Sequence, residues 1–203
     1  GTAWADVDND GWLDLFTANG DITFIRALME ADDPFPLHQP NQLFRNRGGA
    51  SFADVSREAG LARSEVSRGA AFGDVDNDGD ADILVANNNG PARLLINRIG
   101  QDRPWLGVRL VDRRGLHPLG ARVELLRPDG PSLWRRPRVD GSYASASDPR
   151  VIFGLGDDRG PQRLRVHWPD GQTEAWSGLA AGRYVTLRQG QGEGQSQSAG
   201  PRP

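Results

Sequence analysis

Two hydrophobic patterns divide the 203-residue chain. In the first hundred residues the apolar stretches are short and almost unbroken. Leu13-Asp14-Leu15-Phe16-Thr17-Ala18 and Asp82-Ile83-Leu84-Val85-Ala86 each stop at an asparagine-glycine cluster. Runs of this length bounded by turn residues predict strands, and apolar residues at successive positions predict strands covered on both faces. Beyond Arg98 to Pro104 the pattern becomes alternation, in Trp105-Leu106-Gly107-Val108-Arg109-Leu110-Val111, in Ala121-Arg122-Val123-Glu124-Leu125-Leu126 and in Arg163-Leu164-Arg165-Val166-His167-Trp168. Turns at His117 to Gly120 and Pro169-Asp170-Gly171 punctuate these runs. With Leu133 to Arg138, Arg150 to Phe153, Thr173 to Trp176 and Arg183 to Leu187, about seven strands are predicted at short spacing, the pattern of a small β-sandwich or barrel. Its inner face is Leu106, Val108, Leu110, Ala121, Val123, Leu125, Leu164, Val166 and Trp168.

The first half repeats itself. Ala3-Trp4-Ala5-Asp6 aligns with Ala71-Phe72-Gly73-Asp74 at an offset of 68, and the apolar runs that follow keep that offset. Leu43-Phe44-Arg45-Asn46-Arg47 aligns with Leu94-Leu95-Ile96-Asn97-Arg98 at an offset of 51, so the first copy carries about 17 extra residues between Asp21 and Gln42. That insert is predicted to be a surface excursion with a short helical turn within Ile22 to Pro34. Each copy reads as a few short strands with turns between them, as in a propeller blade. The fold class expected is therefore all-β: a partial β-propeller of about two blades over residues 1–100, then a small β-sandwich-like domain over 101–189. Residues 190–203 are nearly devoid of apolar side chains and are expected to form a disordered tail.

The strongest chemical signal lies inside the repeat. Asp6-Val7-Asp8-Asn9-Asp10-Gly11-Trp12-Leu13-Asp14 returns as Asp74-Val75-Asp76-Asn77-Asp78-Gly79-Asp80-Ala81-Asp82, with carboxylates at positions 1, 3, 5 and 9 of each copy. Neighbouring carboxylates about 5 Å apart each cost about 1 kcal/mol in water, and more near a protein surface. A divalent cation reverses the sign, and Gly11 or Gly79 permits the sharp turn that gathers the oxygens. The hard anionic donor set suits calcium, giving two Ca2+ sites. The predicted ligands are Asp6, Asp8, Asp10 and Asp14 with the carbonyl of Trp12, and Asp74, Asp76, Asp78 and Asp82 with the carbonyl of Asp80. An EF-hand would place a bidentate glutamate at position 12 and a helix after it; here position 12 is Thr17 or Val85 and a strand follows. A plain Asp-Gly turn would explain one copy but not a whole carboxylate set written twice.

Composition removes other classes. Cysteine is absent, which excludes disulfides and thiolate metal sites. A formal charge of -3 and a pI near 5.6 provide no basic footprint for nucleic acid, and no apolar run reaches the ~20 residues of a membrane span. All 24 basic residues are arginine. The chain opens on Gly1-Thr2-Ala3-Trp4 with no signal peptide, and two blades cannot close a ring, so missing upstream sequence is expected.

The motifs also resemble known families. Phe72-Gly73-Asp74-Val75-Asp76-Asn77-Asp78-Gly79, Asn41-Gln42-Leu43-Phe44-Arg45-Asn46 and Phe52-Ala53-Asp54-Val55-Ser56 resemble the FG-GAP or VCBS repeats of β-propellers, whose inter-strand loops bind calcium. Gly141-Ser142-Tyr143-Ala144-Ser145-Ala146-Ser147-Asp148-Pro149 through Gly156, followed by Arg165-Val166-His167-Trp168-Pro169-Asp170-Gly171, resembles the ASPIC/UnbV domain. Trp134-Arg135-Arg136-Pro137-Arg138 departs from that pattern and reads as an edge or a surface patch. The pairing occurs in secreted proteins, so the resemblance implies an extracellular or periplasmic protein.

No catalytic or cofactor-binding residue stands out. The serines of the 141–156 segment have no histidine nearby in sequence to act as base, and His38, His117 and His167 are scattered. The reading that follows is a calcium-stabilised recognition or scaffold protein whose partner is a protein or glycan and whose metal is structural. Two alternatives stay open. One is an enzyme of secondary metabolism, with its site between domains or in missing blades. The other is a carbohydrate-binding module using Trp12, Trp134 or Trp176.

Overall fold

The computed structural model of the chain describes residues 1–23 and 34–195; the helical turn expected in the insert falls on residues 24–33, outside the described residues. Among the described residues there is no helix, and the strands form several sheets, none closed into a barrel, as the all-β pattern requires. Two compact units emerge. The first takes in residues 1–7, 12–100 and 139–148; the second takes in residues 8–11, 101–138 and those from 149 onward.

In the first unit, β1 (Thr2–Ala5), β2 (Asp14–Thr17), β4 (Gln42–Asn46) and β5 (Phe52–Asp54) make a four-stranded antiparallel sheet in that order. The short β3 (Gln39–Pro40) pairs with β6 (Ser64–Glu65). The second copy forms β7 (Ser67–Gly73), β8 (Asp82–Asn87) and β9 (Arg93–Leu95), again antiparallel. Register explains the packing. Ala3, Phe16 and Leu43 stand in one cross-strand row, and Phe72, Ile83 and Leu95 in another. Phe16 and Leu43 of the first row and all three residues of the second belong to one apolar core, where the rings of Phe16 and Phe72 meet edge to face at 5.9 Å. The alternate rows, Trp4-Leu15-Phe44 and Ala71-Leu84-Leu94, lie on the opposite faces, with Trp4 46 % and Leu94 52 % exposed. The expectation of strands covered on both faces therefore meets a difference. Each of the two sheets covers only one face of the other.

The 139–148 segment lies along the free edge of β7. The Ser142 hydroxyl accepts the Ala70 N–H at 3.0 Å, the Ser147 hydroxyl accepts the Phe72 N–H at 3.2 Å, and the Asp148 N–H donates to the Phe72 carbonyl at 2.9 Å. The serine-rich stretch thus satisfies an edge strand, the structural role expected of it.

The second unit is a two-sheet sandwich. One sheet runs β13 (Val151–Gly154), β10 (Trp105–Val111), β16 (Arg183–Arg188). The other runs β12 (Leu133–Arg135), β11 (Arg122–Leu125), β14 (Gln162–His167), β15 (Thr173–Leu179), β17 (Glu193–Gln195). All nine residues predicted for the inner face lie in its core, joined by Leu133, Val151, Phe153 and Leu187. The arginine-rich stretch supplies the edge strand β12. Residues 193–195, placed by the sequence reading in the disordered tail, pair with β15, and residues beyond 195 lie outside the described residues. Trp176, expected at the surface, packs against the core and meets Trp168 edge to face at 6.4 Å.

Gly107 shows why an alternating strand carries a glycine at its centre. The Tyr184 ring occupies the space that a Cβ at Gly107 would take. Gly107→Ala is expected to displace that ring and cost about 1–3 kcal/mol, read as a lower urea midpoint at unchanged m.

Candidate metal-binding loops

Each acidic phrase forms the turn between the first two strands of its sheet, β1 to β2 and β7 to β8. The two loops share one backbone. Position 4 is left-handed in both, Asn9 at φ 54° and Asn77 at φ 62°, and position 6 follows with Gly11 at 93° and Gly79 at 94°. Asparagine is among the few non-glycine residues that take this conformation readily. The sequence reading credited the turn to glycine alone; Asn-Asp-Gly supplies two left-handed positions, and the shared asparagine was the signal.

The loops gather their carboxylates in different subsets. In the first, one oxygen each from Asp6, Asp8 and Asp14 lies within 4.8 Å of the others, and all three residues are buried. In the second, the same holds for Asp74, Asp76 and Asp78, of which only Asp74 is buried. Asp10 is outside the first group and Asp82 outside the second. Within the second loop, Asp74 accepts the N–H of Asp78 at 3.1 Å and of Gly79 at 2.9 Å. Asp78 accepts the Asp80 N–H at 3.2 Å. Desolvation first, then the charges of Asp78 and Asp82, push the Asp76 carboxyl above its ordinary value.

Position 9 has a structural task that the sequence reading did not assign. Asp14 accepts the Val7 N–H at 2.9 Å with one oxygen and the Asn46 N–H at 2.7 Å with the other. Asp82 does the same with Val75 and Asn97, both at 2.8 Å. The aspartate that closes each loop therefore clamps the loop to the asparagine that ends the Leu-Phe-Arg-Asn or Leu-Leu-Ile-Asn phrase. The Asn97 amide continues the connection, donating at 2.7 Å to the carbonyl of Val7 in the other loop.

Position 7 separates the copies. Trp12 is 37 % exposed, its ring against Gly49. Asp80 is fully buried, and neither of its carboxylate oxygens has a hydrogen-bond partner. Burial first, then the neighbouring Asp78, push its pKa up to about 8. A buried carboxylate lacking donors beside three further aspartates is the environment that a hard cation relieves, so the donor set fits calcium. The first loop differs again. Its tip, residues 8–11, is held within the second unit, where Gly156 N–H donates to the Asn9 carbonyl and Arg135 to the Gly11 carbonyl, both at 3.0 Å. Arg103 Nη1 lies 3.2 Å from the Asp8 carboxylate and 3.9 Å from that of Asp10.

The other chemical candidates resolve into packing. His167 stacks on Trp134 with ring centres 5.3 Å apart, and its Nδ1 is 3.2 Å from the Thr173 hydroxyl. His38 lies against Phe35 in a tilted arrangement, ring centres 4.8 Å apart.

Fold and loops together define an all-β repeat protein whose duplicated acidic turns lie between the first two strands of each sheet. Residues 6–85 match the FG-GAP-like repeat and residues 113–194 match the ASPIC and UnbV family, so the chain combines the two domains in that order. Three curated relatives named cartilage acidic protein 1 are similar to it over 58 residues: 43 % identity in Homo sapiens, 41 % in Mus musculus and 40 % in Xenopus tropicalis. The shared stretch is 28 % of this chain and 9 % of each relative. Among the described residues no helix is long and apolar enough to cross a membrane.

Proposed function

We propose that the chain is a calcium-stabilised extracellular recognition or scaffold protein, its metal structural rather than catalytic. The observation that carries this is the duplicated loop: two turns of matching backbone geometry, each gathering three carboxylates, one of them flanked by a fully buried carboxylate without donors. Asp6, Asp8 and Asp14 with Asp10 would hold one ion, and Asp74, Asp76 and Asp78 with Asp82 and Asp80 the other. The bound ion supplies positive charge that cancels repulsion among the carboxylates and stiffens each turn. The extracellular setting rests on the similarity of both domains to those of secreted proteins. The partner is a protein or glycan, for which the exposed Trp12 and Trp134 offer aromatic surface.

The test is thermal melting with calcium against chelator. A ligand that binds only the folded form raises stability by RT ln(1 + [L]/Kd), about 2.7 kcal/mol at a hundredfold excess over Kd. An unchanged melt together with no calorimetric binding heat up to millimolar calcium would sink the proposal.

The two loops should also differ in affinity. Arg103 brings a positive charge to the first loop, where it opposes an incoming cation. Arg103→Gln is expected to tighten calcium binding at the first loop about tenfold and leave the second unchanged. Calorimetry on the variant in backgrounds lacking either Asp8 or Asp76 resolves the sites.

A further inference from the structure

The outer face of the three-stranded sheet of the sandwich carries charge of one sign. Its strands β10, β13 and β16 contain no carboxylate, in a chain whose formal charge is -3. Leu106, Val108 and Leu110 turn into the core, so Trp105, Gly107 and Arg109 turn outward. On β16, Tyr184 stands opposite Gly107, Thr186 opposite Arg109 and Arg188 opposite Val111. Arg109, Thr186 and Arg188 are exposed. The Tyr184 ring fills the space that a Cβ at Gly107 would take, meets Trp105 edge to face at 5.2 Å and carries the Arg150 guanidinium at 4.3 Å from its centre. A guanidinium stacked on an aromatic ring is weakly hydrated and held in place, so the direction of its charge is set before any ligand arrives. The centre of the face is therefore a rigid positive platform, and Arg109 and Arg188 flank it.

We propose that this face binds a sulfated linear polysaccharide. The inference rests on the recognition reading above and narrows its glycan partner to a polyanion. Neighbouring strands stand about 4.8 Å apart, so the face is about 10 Å wide from β13 to β16, and arginines spread over it do not converge on one small ion. A chain with anionic groups repeated along its length matches that spread. Arg109 and Arg188 pair with its sulfates through two-pronged hydrogen bonds, Arg150 adds a fixed positive charge, and Thr186, opposite Arg109, offers a hydroxyl to the sugar. Nucleic acid fits less well, because Arg150 takes the place on Tyr184 that a stacking base would need. An anionic membrane also fits less well, because the exposed members of the face are arginine and threonine, with no apolar side chain to enter the headgroup layer.

Calorimetric titration of the full chain with a short heparin oligosaccharide provides the test, at about 0.1 M salt, where exposed charges are screened beyond about 10 Å. The parent chain should bind. Arg109→Gln combined with Arg188→Gln should weaken binding about tenfold, the joint worth of two exposed charge pairs. Arg122→Gln combined with Arg163→Gln removes the same net charge from the other sheet, also at exposed positions, and should bind as the parent does. Far-ultraviolet dichroism checks each fold; should the first pair fail to fold, Arg109→Gln alone, with a loss of about threefold, takes its place. The desulfated oligosaccharide should not bind. No heat with the sulfated probe overturns the proposal, and so does an equal loss in both double variants. Equal binding of single-stranded DNA, or of phosphatidylserine vesicles, overturns the assignment to a saccharide. The calcium melt is read without saccharide, so the two readings fail separately: a melt that responds to calcium with no heparin binding removes this inference alone, and heparin binding with a melt blind to calcium removes only the metal reading.

Discussion

Asp14→Ala should destabilise the chain by about 3–5 kcal/mol even in chelator, where no metal contribution exists to lose. Asp14 is buried, and its two oxygens accept the backbone N–H groups of Val7 and Asn46. Alanine strands both donors, and an unsatisfied buried N–H costs about 1–3 kcal/mol. Loss of a charged acceptor places each bond toward the upper end of that range. Urea denaturation in EDTA measures the effect. Asn46→Ala keeps its backbone N–H and loses only its side-chain bonds, so it should cost clearly less. If Asp14→Ala is harmless in chelator and damaging only with calcium, position 9 acts as a ligand and not as a clamp.

The second large effect is a pH dependence carried by Asp80. Its folded pKa of about 8 stands above the ordinary 3.8, so the folded state holds the proton more tightly than the unfolded chain does. The contribution of Asp80 to stability is then greatest below pH 3.8, declines as pH rises through the window up to about 8, and is flat above it. At about 1.4 kcal/mol per unit the full shift would approach about 6 kcal/mol; relaxation and solvent penetration reduce the expected loss to about 2–3 kcal/mol. Asp80→Asn should remove this slope. In calcium-free buffer the variant should match the parent near pH 4 and exceed it by that amount at pH 8, as read from chemical denaturation at each pH. Equal slopes in both proteins would locate the pH dependence elsewhere.

The sequence revealed the elements whose information is local or periodic. Alternation marked nine of the residues in the sandwich core, because a strand's period of two separates core from solvent without reference to its partners. The offsets of 68 and 51 placed the two acidic turns at equivalent points of two sheets. What the sequence withheld depends on contacts across long separations. Nothing local to Asp14 says that its oxygens are engaged by a residue 32 positions away, and nothing local to Ser142 says that it caps an edge strand 72 positions earlier. The burial of Asp80 was hidden for a related reason. Trp12 holds the same position in the first loop, and loop residues are ordinarily exposed, so only the packed structure separates the two. Trp176 looked like a surface aromatic for want of the β17 pairing beside it.

The aspartate clamp carries a consequence for how this repeat can grow. Asp14 and Asn46 are 32 residues apart, and Asp82 and Asn97 only 15, yet the bond is the same in both. Lengthening the intervening chain by that ratio adds only about 0.7 kcal/mol of closure entropy. The connection between second and third strands thus behaves as a permissive port, pinned at its two ends and indifferent to what passes between them. A recognition loop, a modification site or an entire small domain could be grafted there without altering the acidic turn that holds the blade together.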